Sequence, residues 1–308
     1  MGKEFPELLT IVPDVLVEGF SVLAGKPKIG KSWLALHLAI AVASGEPALG
    51  TLPVDSGEVL YLALEDTQKR LKRRLQRMLP AGKQAPERLD LRVKWHRFDK
   101  GGLADMEEWL AARERPRLII IDTLKRLRSK RTGRASAYDE DCDALEGPQQ
   151  LAGDRGIAML AVHHTSKRQS ADDLFDDISG TLGLNGTADN LLILKRGRGD
   201  MEANLYTTGR ELEEKLLVLQ CGPSLATWTL KGDAATLPPV LTGIAKDLFD
   251  LFVRTRQWLR PTEAYQALGC RHKLASIKVT LGRMREMGTL ANDGTGRYML
   301  ASHDENVL

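Results

Sequence analysis

Cysteine is scarce in this chain of 308 residues: Cys142, Cys221 and Cys270 are odd in number and far apart. That excludes a disulfide framework, offers no zinc-ligand spacing, and points to the cytoplasm. Long hydrophobic runs are missing as well. The longest, after residue 32, is too short to span a bilayer and is interrupted by His37, so no membrane partner is expected. Lys3, Glu4 and Glu7 leave no room for the apolar core of a secretory signal. The net charge is only +3, too small to select a partner by itself. There is no internal repeat and no long low-complexity tract. What remains is an ordinary soluble composition, 43% hydrophobic and 28% charged, with length for one large domain or a large and a small one.

Against that plain background one octapeptide stands out. Gly25-Lys26-Pro27-Lys28-Ile29-Gly30-Lys31-Ser32 fits the phosphate-binding loop pattern G-x-x-x-x-G-K-[ST] without a mismatch. The apolar run Gly19–Ala24 before it reads as a buried strand. Trp33–Ala43 after it reads as a helix that stops at Ser44-Gly45. Backbone N–H groups from Lys28 to Ser32 would converge on a phosphate at the helix N-terminus. Gly25 and Gly30 permit the close approach, and Pro27, which has no N–H, stiffens the start of the loop. Lys31 should reach the β- and γ-phosphates and Ser32 should coordinate Mg²⁺. The nucleotide-binding set is therefore Gly25, Lys26, Pro27, Lys28, Ile29, Gly30, Lys31, Ser32 and Trp33, with ATP and Mg²⁺ as the expected cofactors.

Alternating strands and helices run to about residue 232 and predict a mainly parallel α/β sheet. Expected strands are Phe20–Ala24, Glu58–Leu64, Leu91–Trp95, Leu118–Asp122, Ala158–His163 and Asn190–Leu194. A hairpin-like pair follows, Asn204–Gly209 and Lys215–Gln220. Lys231-Gly232-Asp233 through Pro239 looks like a linker, which divides the chain into 1–232, a linker 233–240, a small domain 241–300 and a tail 301–308. In the small domain, helices are expected over Leu241–Val253, from Arg260-Pro261-Thr262-Glu263, and over Lys273–Met287. Two short strands then flank Asn292-Asp293-Gly294, a tight turn signal. That pattern resembles a winged helix. Ten cations against five acids make it more basic than the whole chain. A basic third helix fits a DNA groove; a packing or oligomerisation module is the plainer alternative.

Three strand ends carry the candidate chemistry. Arg117-Leu118-Ile119-Ile120-Ile121-Asp122 delivers a carboxylate to the C-terminal edge of a sheet, where Asp122 would hold Mg²⁺ beside Ser32. Val59–Leu64 ends in Glu65-Asp66. Glu65 is placed to activate water, whereas Asp66 suits a cap for the helix starting near Thr67. Ala158–Val162 ends in His163-His164, neighbours that point to opposite faces of a strand, so one metal would not take both. His164 is preferred over His163 as the group facing the γ-phosphate.

Loop, Glu, Asp and His in this order resemble the RecA-like ATPases, above all the RepA-type and DnaB-type hexameric replicative helicases. Ile178–Asp189, the strand Asn190–Lys195 with Arg196, and Tyr206-Thr207-Thr208-Gly209-Arg210 resemble further family elements; the likeness covers about residues 10–220. The resemblance implies a RecA-like core, a homo-hexameric ring, and an arginine finger entering the neighbouring subunit's site. Arg196 matches that finger by position, with Arg198 and Arg210 as further candidates. It implies a motor beginning almost at Met1, without a primase or collar domain ahead of it. It also implies that the loops after Asp122 and His164 face a central channel. These carry Lys125, Arg126, Arg128, Lys130, Arg131 and Arg134, then Lys167 and Arg168, almost without aromatics. Backbone-led, salt-sensitive binding of single-stranded DNA follows. The expected function is a DNA-translocating ATPase of a plasmid, phage or integrated element. The rival is an ATP-switched DNA-binding regulator or accessory protein that does not unwind.

Overall fold

A sheet that is apolar on both faces must be covered on both, and the alternating sequence of this protein supplies the covers. A computed structural model describes residues 8–128, 137–165, 187–197, 199–234, 244–286 and 289–301. By its internal contacts the chain forms two units, Met1–Ala235 and Thr236–Leu308.

In the first unit a small ladder, β1 (Thr10–Val12) with β2 (Leu16–Val17), precedes β3 (Gly19–Gly25). The phosphate loop then leads into α1 (Lys31–Ser44). Gly30 starts this helix at φ 110° and Gly45 ends it at φ 75°, conformations that favour glycine at both ends. Next come β4 (Glu58–Ala63), α2 (Gln68–Met78), β5 (Leu89–Arg92), α3 (Gly102–Ala111), β6 (Pro116–Asp122), α4 (Ala137–Arg155) and β7 (Ala158–His164). The unit closes with β8 (Asn190–Lys195), β9 (Glu202–Gly209), β10 (Lys215–Cys221) and β11 (Trp228–Asp233).

Nine of these strands make one sheet in the order β11-β10-β9-β8-β3-β7-β6-β4-β5. From β8 to β5 every neighbour is parallel, while β9, β10 and β11 extend it antiparallel. The chain crosses from β3 to β4 over two intervening positions later filled by β7 and β6. That places the phosphate loop at a switch point on the C-terminal edge. Strand parity sorts the core into two layers. Leu118, Ile120, Leu160 and Val162 pack with α1, whereas Ile119, Ile121, Met159 and Ala161 pack on the other face with Leu145 and Leu151 of α4.

Several expected boundaries move. β5 lies earlier than Leu91–Trp95, because the Trp95 indole instead donates to the Gly102 carbonyl (2.9 Å) at the start of α3. β11 falls where the linker was expected to open: Lys231, Gly232 and Asp233 pair with β10 in the edge ladder. The cap of α2 is Thr67, whose side chain accepts from the Arg70 N–H, and not Asp66. Asp66 forms ion pairs with Arg70 and Arg74 instead.

The second unit contains α5 (Ile244–Thr255), α6 (Pro261–Ala267), α7 (Leu274–Glu286) and a two-stranded ladder, β12 (Leu290–Asn292) with β13 (Tyr298–Leu300). Pro261 opens α6, and the Glu263 carboxylate accepts from the Arg260 N–H at 2.7 Å. Leu248, Phe252, Ala264, Ile277, Leu281 and Met284 form the core of this unit.

Candidate nucleotide site

The loop between β3 and α1 is shaped by steric necessity. A Cβ on Gly25 would come within 2.6 Å of the Leu194 carbonyl oxygen, and one on Gly30 within 2.7 Å of the Trp228 ring. Trp228 is fully buried at the start of β11, so the last strand of the sheet backs the phosphate loop. Lys28 itself adopts φ 67°, part of the bend that turns successive N–H groups inward.

Lys31 is buried, and its ammonium donates to the carbonyls of Gly25 (2.5 Å) and Lys26 (2.7 Å). Burial lowers its pKa to about 8, against the opposing pull of Asp122 and Glu65. The Ser32 hydroxyl donates to Asp122 Oδ1 (3.1 Å), and the Tyr61 hydroxyl reaches Asp122 Oδ2 (2.9 Å) and the Ser32 carbonyl (3.2 Å). Asp122 is itself buried, which raises its pKa, with the Ser32 and Tyr61 hydrogen bonds opposing. Tyr61 is fully buried and its pKa is driven well above the ordinary phenol value, first by burial. It therefore acts as a neutral donor that fixes the carboxylate relative to Ser32. A hydroxyl and a carboxylate side by side are hard oxygen donors, a set that suits Mg²⁺ with its retained waters. Bound there, the ion would neutralise phosphate charge.

Glu65 lies two residues beyond β4. Its Oε1 accepts from the Thr123 hydroxyl (3.0 Å) and lies 3.7 Å from Arg126 Nε, while Oε2 lies 4.0 Å from His164 Nε2. The tips of β4, β6 and β7 thus meet at one carboxylate. His164 shares the parity of Leu160 and Val162 and so lies on the α1 face, whereas His163 lies on the opposite one. Burial takes His163 down to about 4, with Arg128 adding to the effect. His164, more exposed, is lowered by burial and by Lys31. Trp33 lies under the Arg74 guanidinium (5.2 Å to the ring centroid), and Arg74 pairs with Asp66 at 2.6 Å. This chain of contacts ties α2 to α1.

The arginines divide. Arg196 follows β8 directly and turns onto its own phosphate loop: Nε donates to the Ile29 carbonyl (3.0 Å) and Nη1 to the Asp200 carbonyl (2.6 Å). Lys195 points to the other face, its ammonium 5.8 Å from the centroid of the Tyr206 ring. Arg210 is not brought to this edge. It lies 3.4 Å from Asp189, whose carboxylate accepts from the Phe20 N–H at the opposite end of β3. That end is roughly 17 Å from Gly25 at strand spacing. Lys125 and Arg126 are exposed on the turn after β6, with Arg128 close behind. Arg198, Lys130, Arg131, Arg134, Lys167 and Arg168 lie outside the described residues.

Three features escape a reading of motifs. Tyr61 looks like one more core residue of an apolar strand, and Thr123 like the residue after a carboxylate. A cavity of about 760 Å³ opens beside the loop between Lys26, Ile29, Leu194, Arg196, Glu202 and Asn204. Only its placement against the loop, at a volume suited to a small ligand, marks it.

A glycine loop at a switch point, with a buried lysine and paired hydroxyl and carboxylate, defines a P-loop nucleotidase with a RecA-like sheet. More particularly, residues 1–170 match the model of the AAA domain family, over half of the chain, and the protein belongs to that family of ATPases. Among solved structures it is similar to an isolated helicase ATPase domain, at 15% identity and TM-score 0.56, over 69% of this chain and 84% of that one. It is also similar to a DnaB-like replicative helicase described with its interactions with primase, at 15% identity and TM-score 0.55, over 68% of this chain. The match spans only 58% of that helicase's own length. These likenesses concern the fold. Among the described residues, no helix is long and apolar enough to cross a membrane.

Proposed function

We propose that the protein is a Mg²⁺-dependent, ring-forming ATPase that translocates on single-stranded DNA, with a hexamer as the working assembly. The observation that carries this reading is the meeting of β4, β6 and β7 at Glu65. The tips that hold the water-activating carboxylate, the Mg²⁺-ordering Asp122 and the γ-phosphate-facing His164 lead directly into the basic loops. A change at the phosphate is thereby transmitted to the cations that grip DNA. Lys31 binds the β- and γ-phosphates, Ser32 holds the metal, and the cavity between β8 and β9 receives the nucleoside. Arg196 leaves its own loop to stabilise charge in the adjacent site. The setting that suits such a motor is replication of a plasmid, phage or integrated element. The domain plan behind this is a motor of residues 1–232, a linker, and a winged-helix-like domain of 241–300.

A second reading, an ATP-switched DNA-binding regulator, is favoured by the C-terminal unit, whose α7 exposes Lys278, Arg283 and Arg285 beside a β-ladder. Strand displacement on a forked substrate separates the two. The motor displaces the strand only with hydrolysable ATP, and specific activity rises with protein concentration as rings form. DNA-stimulated hydrolysis without displacement would sink the motor and leave the switch.

A further inference from the structure

Helix α2 carries a charge pattern that neither the nucleotide site nor the basic loops account for. Its sequence, QKRLKRRLQRM, holds six cations and no acid, and no acidic residue occurs from Thr67 to Pro86. The helix has two sides. Leu71, Leu75 and Met78 pack into the layer shared with α1, and Arg70 and Arg74 are engaged by Asp66. Lys69, Lys72, Arg73 and Arg77 form the other side, at spacings of three and four residues, and all four are exposed. None of the four has an acidic partner among the described residues.

Like charges at these spacings destabilise a helix, and no neighbouring carboxylate relieves them here. A polyanion laid along the helix would. Lys69 to Arg77 span about 12 Å at the helical rise, enough to meet three or four phosphates at about 3.4 Å of axial spacing per strand. The stripe also begins beside the loop after β6, because Arg126 reaches Glu65 only two residues before the Thr67 cap. We propose that Lys69, Lys72, Arg73 and Arg77 bind the phosphate backbone of a single-stranded nucleic acid, as a track separate from the loops after β6 and β7. The backbone is the ligand, since the stripe has no aromatic side chain on which a base could stack. Binding there requires neither hydrolysis nor translocation.

The test uses the full-length chain and a labelled oligothymidylate, with affinity followed by anisotropy across a salt series. The variant Lys69→Gln/Lys72→Gln/Arg73→Gln/Arg77→Gln keeps good helix formers and leaves Arg70 and Arg74 in place. It should bind about 10- to 100-fold more weakly at low salt, and its slope of log K against log salt should fall by about 2–3. Lys69→Arg/Lys72→Arg, which keeps the charge, should bind like the natural chain. Unchanged affinity and slope in the glutamine variant would overturn the track, as would weaker binding with an unchanged slope. Weaker self-association with intact oligothymidylate binding would also overturn it, and would give the stripe to an acidic surface of a second copy. Lys125→Gln/Arg126→Gln reports on the loops independently. Loss of binding in that variant alone leaves the loop reading standing and the α2 track refuted; loss in the α2 variant alone does the reverse.

Discussion

The two units of this chain treat polar groups in opposite ways. Among the described residues, every buried polar or charged side chain, from Ser21 through Lys31, Asp122 and Thr123 to Asn190 and Thr207, belongs to the first unit. The core of the second is apolar throughout, and its charges lie outside. Burying a charge is costly unless it is held, so a fold that keeps Lys31 and Asp122 inside retains them for chemistry and sacrifices stability for it. A unit with nothing polar inside has only its surface with which to act.

The sharpest break of this contrast is Lys31→Met, which fills the same space without a charge. ATP turnover should fall by about a thousandfold or more, since phosphate charge loses its buried partner. Stability at neutral pH should hold or rise. Burial lowers the Lys31 pKa to about 8 from 10.5, so between those values the unfolded chain binds the extra proton and the folded one does not. Stability of the natural chain therefore rises with pH over that window, and the rise should vanish in the variant. Urea unfolding at a series of alkaline pH values checks this; a rise that persists would assign the titration to another group.

A moderate effect is expected from His37 on α1, whose Nε2 accepts the Leu49 N–H at 3.1 Å. Burial brings its pKa down to about 4 from 6.5. As pH falls through that interval the unfolded chain takes a proton that the folded chain refuses, so the fold is weakened by acid. His37→Gln keeps an acceptor and removes the titration. The acid loss of stability should become shallower by roughly one proton. An unchanged acid limb would place the sensitivity at His163 instead.

The smallest effect on turnover belongs to the second unit. Lys278→Gln/Arg283→Gln on α7 should alter ATP hydrolysis by less than about twofold while weakening duplex DNA binding by about tenfold. Equal loss of both activities would mean that the two units do not divide the work as their interiors suggest.

The same division governs what could be read from the letters. The phosphate loop is local: eight consecutive residues define it, and sterics at Gly25 and Gly30 leave few alternatives. The strands are legible because a sheet buried on both faces writes itself as apolar runs. Tyr61 was hidden for that very reason, since a tyrosine in such a run looks like packing until Asp122 and Ser32 arrive from distant parts of the chain. β11 was hidden because Lys231-Gly232-Asp233 has the composition of a linker, and only pairing with β10 makes it a strand. Thr67 took the cap because Asp66 found two arginines, a tertiary preference outside the reach of a capping rule. Arg196 gave its position after β8 but not its contact with Ile29, which depends on how the loop folds back.

Parity places Asp122 and His164 on the α1 face, and it also limits how this site can change over generations. Inserting or deleting a single residue within β6 would rotate the carboxylate into the opposite layer, so length there can drift only in steps of two. β7 has a spare. One residue gained upstream would swing His164 away and bring His163 round in its stead, so the strand tolerates a slip that its neighbour does not. The doubled histidine works as insurance against frame errors, in a position where no metal needs both.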